Sequence, residues 1–151
     1  MELSKSREPA VAGSFYPSHS GLLKQQVEGF IESAPPSQQA VMPAAIIAPH
    51  AGYLYSGAIA GSAYRSLLQQ DQSTRRVILL GPSHYVSFAG LALSHYAAFH
   101  TPLGDVPVDV SSIHRLQSLP QVQFLEAAHE QEHCLETQLP WLQCKLDSFW
   151  I

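Results

Sequence analysis

The stretch AAIIAPHAGY (44–53) opens with five apolar residues and then turns through Pro49 to a histidine, His50. A short continuous apolar run of this kind is the mark of a strand buried on both faces of a parallel sheet. Further along, VILLGPSHY (77–85) repeats the design, with an apolar run, a Gly-Pro turn and a histidine, His84. Between them, residues from about Ser56 to Gln69 read as a helix rich in small residues, so the segment as a whole reads as a βαβ unit with a right-handed crossover. In open parallel sheets ligands bind beyond the carboxyl ends of the strands. Adjacent strands lie about 4.8 Å apart, close enough for two imidazoles there to converge on one ion at about 2.0–2.1 Å each. The plainer alternative is that each histidine hydrogen-bonds a loop carbonyl.

Outward from this unit, Leu23, Val27, Phe30, Ile31 and Ala34 recur at helical spacing and predict an amphipathic helix over 20–34, stopped by Pro35 and Pro36. Residues 1–19 read as an irregular segment and 35–40 as a polar loop. Strands are expected over 90–94 and 122–125, with a loop or edge strand over 96–105. Asp109 caps a helix to about Leu119, and a short helix over 130–139 ends at Pro140. The fold class is α/β, a mainly parallel β-sheet flanked by helices, in a single domain over 1–151.

Composition limits the function classes. The chain has 151 residues, 46% hydrophobic and 13% charged, enough apolar material for one packed core. A net charge of −4 offers no basic surface for nucleic acid or an anionic membrane. No apolar run approaches the roughly 20 residues that span a bilayer, and no secretory signal is visible. With two cysteines, Cys134 and Cys144, a disulfide framework is not expected and a cytoplasmic location is. Eight histidines against eight lysines and arginines together direct attention to metal or acid–base chemistry.

The segment 129–133 matches H-E-x-x-H, in which two histidines bind zinc and a glutamate acts as base. A zinc protease using His129 and His133 is therefore one reading. Against it stand the extra carboxylate of Glu132 and the lack of a third ligand at the right spacing. A second reading uses Glu132, His133 and Glu136 on one helical face directed at the His50 and His84 site, the carboxylates orienting imidazoles by hydrogen bonds. A solvated amphipathic helix burying Leu135, Leu139 and Trp141 is the third.

Taken together, GSFYP (13–17), APHAGYLYSG (48–57), ILLGPSHY (78–85), LALS (91–94), TPLGDVPVD (101–109) and EHCLETQLPWLQ (132–143) resemble the Memo family, in order and over nearly the whole chain. The resemblance implies a fold like the catalytic subunit of class III extradiol dioxygenases, the LigB-like type, which use non-haem ferrous iron. It implies His50 and His84 as metal ligands and His133 as the catalytic, pocket-lining histidine. Tyr53, Ser83, Glu132 and Glu136 are counted as residues lining or backing the site. The cofactor implied is Fe2+, with Cu or Zn as alternatives, and redox or dioxygenase-type chemistry on an unidentified small molecule. Family members are longer, and their later portion contributes a further histidine and a cysteine that do not occur here. Cys134 stands where the family usually has serine and is not that cysteine. The expectation is thus a two-histidine site without a complete facial triad, one that can stay empty in this chain. The competing expectation is a non-catalytic binding module or degenerate fragment. A sheet lacking its later strands leaves an open edge, so a homo-oligomer formed through that edge is expected.

Overall fold

The computed structural model describes residues 5–36, 43–67 and 76–151. Helix α1 (Ser20–Ser33) starts where His19 Nδ1 accepts the Leu22 N–H, and it ends before Pro35. Leu23 and Val27, one helical turn apart, are fully buried. Helix α2 (Tyr53–Arg65) lies against α1. The contact is so close that a Cβ on Gly61 would sit 2.6 Å from the Phe30 carbonyl oxygen, and one on Gly57 2.3 Å from the Phe30 ring. Only glycine allows that approach at these two positions. Arg65 locks the pair by donating to the carbonyls of Ile31, Glu32 and Ala34, three acceptors left over at the α1 C-terminus.

Strand β1 (Ser6–Arg7) pairs in parallel with β3 (Ala98–Thr101), which pairs antiparallel with β4 (Gly104–Pro107), in the order β1-β3-β4. The segment expected as loop or edge strand is thus a hairpin, turned at Gly104 with φ +114°. Past β4, Ile151 donates to Pro107 O and accepts from Asp109 N, while Val77 N–H donates to Trp150 O. A second, two-stranded parallel sheet joins β2 (Leu91–Leu93) to β5 (Val122–Phe124), with Leu91 opposite Val122. Asp109 caps α3 (Val110–Leu116) by accepting the Ser112 N–H, as its position predicts, although the helix ends before Leu119.

The C-terminal region departs from expectation. In place of one helix over 130–139 there is a single turn, α4 (Ala127–Glu130), then an irregular segment, a 3-10 turn over Glu136–Gln138, and α5 (Leu139–Lys145). Pro140 does not end a helix. It occupies the first turn of α5, where a missing N–H costs nothing. Trp141 on α5 is completely buried, stacked on Tyr64 at 5.6 Å and tilted against Tyr53 at 4.9 Å. This aromatic cluster, with Leu23, Val27 and Leu139, is the core.

The two apolar runs that suggested a βαβ unit flank α2, yet among the described residues they form no sheet ladder with each other. Ile46, Ala48, Val77 and Leu79 pack on the core, while Ile47, Ile78 and Leu80 face outward at 99%, 82% and 77% exposure. One face of each run is covered by helices and the other is bare. A doubly buried strand needs neighbours on both sides, and here half of that surrounding is absent among the described residues. Residues 68 and 69 of the expected second helix, and 37–40 of the expected loop, lie outside the described residues. No helix is long and apolar enough to cross a membrane among the described residues.

Candidate metal centre

At the ends of both apolar runs the chain turns inward and brings His50 and His84 together, ring centroids 5.2 Å apart. His133, from the irregular segment after α4, completes the cluster, with ring centroids 4.6 Å from His84 and 5.9 Å from His50. One ligand nitrogen from each of the three lies within 4.8 Å of the others. Nitrogens sharing a tetrahedral ion at 2.0–2.1 Å stand roughly 3.4 Å apart, so small ring movements bring the set onto one ion. The cluster borders a cavity of about 1910 Å³, walled by both apolar runs and by Phe15 and Tyr55.

Glu132 organises this arrangement. Its carboxylate accepts the backbone N–H of His84 at 2.6 Å, of His133 at 2.8 Å and of Cys134 at 3.0 Å, and it lies 2.9 Å from His84 Nδ1. Burial pushes its pKa up, but these four contacts outweigh burial and hold it at about 2. The carboxylate is therefore charged at neutral pH. An anionic acceptor at this distance calls for a proton on His84 Nδ1, which leaves Nε2 as the nitrogen to meet a metal ion. His133 Nδ1 lies 3.5 Å from the same carboxylate oxygen, buried and without a hydrogen-bond partner among the described residues. Burial, then the neighbouring His84 and His50, lowers the His133 pKa against the pull of Glu132. That favours the neutral imidazole, the form that binds metal. Three imidazoles gathered in this way are a donor set that suits a transition-metal ion.

The turn bearing His84 is held from below. Cys134 Sγ donates to Pro82 O at 3.0 Å, and a Cβ on Gly81 would lie 2.5 Å from that sulfur. Burial pushes the Cys134 thiol up to about 12, so it stays protonated. The turn bearing His50 is tied down by Gln138 Nε2, which donates to Pro49 O.

The other residues singled out in the sequence have hydrogen-bond partners of their own. Glu136 is buried behind the site, accepting from Arg7 Nη1 at 2.7 Å, Ala10 N at 2.8 Å, Val11 N at 3.0 Å and Tyr16 OH at 2.5 Å. Its four acceptor directions are used by the N-terminal segment, and it has no hydrogen bond to an imidazole among the described residues. Tyr53 is in the core, its hydroxyl donating to Thr137 O. Ser83 closes its own turn through Val86. His129 points away from the cluster, its Nε2 3.2 Å from Ala92 O. Because α4 ends at Glu130, His129 and His133 do not share a helix, and the two-ligand geometry of H-E-x-x-H is not formed. Missed from sequence were Phe15, whose ring meets His133 edge-on at 4.9 Å, and Arg7. An isolated arginine ahead of an irregular segment carries no periodic or motif signal.

Comparison with known proteins finds relatives along most of the chain. The family model for Memo-like proteins matches residues 7–151. Protein MEMO1 of Xenopus laevis is 38% identical over 147 residues, covering 96% of this chain and 48% of its own length. A MEMO1 family protein of Aquifex aeolicus is 38% identical over 139 residues, 91% of this chain and 49% of its own. One of Methanocaldococcus jannaschii is 35% identical over 150 residues, 93% and 52%. The chain thus spans about half the length of the curated relatives it matches. It belongs to the Memo-like protein family.

Proposed function

We propose that this chain binds one divalent transition-metal ion through His50, His84 and His133, and that the site serves redox or dioxygen-dependent chemistry on a small molecule. The observation that carries the reading is the convergence of three imidazole nitrogens within 4.8 Å, one ring fixed by Glu132. Fe2+ is the first choice, the metal that the resemblance to class III extradiol dioxygenases implies, with copper or zinc as alternatives. When bound, such an ion supplies Lewis-acid or one-electron chemistry at its open positions. The protein's part is to hold the rings: Glu132 fixes the His84 tautomer, and Phe15 packs on His133. Where His133 is not a ligand, its neutral ring accepts a proton from a molecule bound in the cavity. Anaerobic Fe2+ titration tests the reading. His50→Ala and His84→Ala should each weaken binding at least tenfold, and unchanged affinity in both would eliminate the proposal.

The proposal extends to assembly and location. Residues 44–48 have no backbone hydrogen bonds among the described residues, and Ile47, Ile78 and Leu80 stand in solvent. An edge of this kind pairs readily with another chain. A second copy offers the same donors, acceptors and apolar side chains in an isologous pairing. We infer a homo-oligomer through this edge, in the cytoplasm, where the free thiols Cys134 and Cys144 stay reduced.

A further inference from the structure

Arg7 is 2% exposed, and its guanidinium reaches the segment that carries the site's own residues. Nε donates to His129 O at 2.7 Å, Nη2 to Glu132 O at 2.5 Å, and Nη1 to Glu136 Oε2 at 2.7 Å. The plane lies 5.4 Å from the centroid of the Phe99 ring. A rigid fork with this many acceptors restrains the peptide on both sides of the Glu132–His133 corner. Glu136 carries the restraint onward: through Ala10 N, Val11 N and Tyr16 OH it holds the 10–16 turn, which sets Phe15 against His133. The backbone of Phe15 accepts from Tyr53 N at the start of α2, three residues after His50.

We propose that Arg7, acting with Glu136, is a positioning residue for the three-histidine cluster, fixing the 129–136 segment so that Glu132 meets His84 and His133 faces His50. The effect on metal affinity rests on the metal-binding reading above; the effect on ring position does not.

The test compares Arg7→Lys with Arg65→Lys. Both arginines donate to several backbone carbonyls, but Arg65 does so at the end of α1, away from the histidines. Lysine keeps the charge and loses the fork in each case. In the metal-free protein, the imidazole NMR signals of His84 and His133 should move in Arg7→Lys and stay in place in Arg65→Lys. In Co2+ titrations, Arg7→Lys should bind about 10–100-fold more weakly with an altered visible spectrum, the range for losing an outer-shell support, and Arg65→Lys within about threefold of the parent. If Arg7→Lys does not fold, Glu136→Gln is read in the same way. Ring signals and Co2+ affinity that respond alike in the Arg7 and Arg65 variants would overturn the proposal. If the parent chain bound no Co2+ while the rings still moved only in Arg7→Lys, the metal reading would fall and the positioning role would stand.

Discussion

Glu132 Oε1 lies 2.9 Å from His84 Nδ1 while the same carboxylate accepts the backbone N–H groups of His84, His133 and Cys134. One side chain therefore sets both the ring orientation of His84 and the path of the chain into His133. Glu132→Gln keeps the shape but gives up the charge and two acceptor positions. Its affinity for Zn2+ should fall by about 10–100-fold, read by competition with a chromophoric chelator. An affinity equal to the parent's would show that the carboxylate does not support the ligands.

The same residue sets an acid limit on stability. Its folded pKa, about 2, lies below its ordinary value of 4.5. Stability from this group is therefore complete above about pH 4.5 and is lost as pH falls toward 2. Urea midpoints measured from pH 6 to pH 2 should decline less steeply in that window for Glu132→Gln than for the parent. Parallel declines would place the acid sensitivity elsewhere.

Gly81 and Cys134 form a tight pair. A methyl at position 81 would press on a sulfur that cannot retreat without losing Pro82 O. Gly81→Ala should destabilise by about 1–3 kcal/mol, the usual cost of overpacking. Adding Cys134→Ala should recover part of that loss, a coupling that a double-mutant cycle in urea detects. Strict additivity would mean that the two residues do not press on one another.

Association through the bare edge is open to direct measurement. Sedimentation velocity should show the parent chain shifting to larger species as concentration rises. Ile78→Lys with Leu80→Lys, which charges two side chains already 82% and 77% exposed, should remove the shift without unfolding the chain. A parent that stays monomeric across the range would contradict the proposed homo-oligomer.

Which parts of the molecule were legible in the sequence follows from the range of the interactions involved. Leu23 and Val27 announce α1 because helical periodicity is local, and Asp109 announces α3 because a cap acts three residues away. His50 and His84 were visible because each follows an apolar run and a rigid turn. What holds them was not: the bond from Glu132 to His84 spans 48 positions of the chain, and that from Gln138 to Pro49 spans 89. The exchange between Arg7 and Glu136 spans 129 positions and leaves no local pattern. Glu136 looked like a partner for an imidazole because 130–139 read as one helix. The break after Glu130 turns it instead toward the N-terminal segment. The runs at 44–48 and 77–80 are apolar enough for doubly buried strands, and the bare face of Ile47, Ile78 and Leu80 shows that this burial needs more than the described residues provide.

The central claim is that His50, His84 and His133 share one metal ion. X-ray absorption of the Zn2+-loaded chain, compared with its His133→Ala variant, tests it most directly. Three imidazoles at about 2.0–2.1 Å in the parent, falling to two in the variant, is the expected result. A spectrum dominated by oxygen or sulfur ligands, or an imidazole count unchanged by His133→Ala, would contradict it.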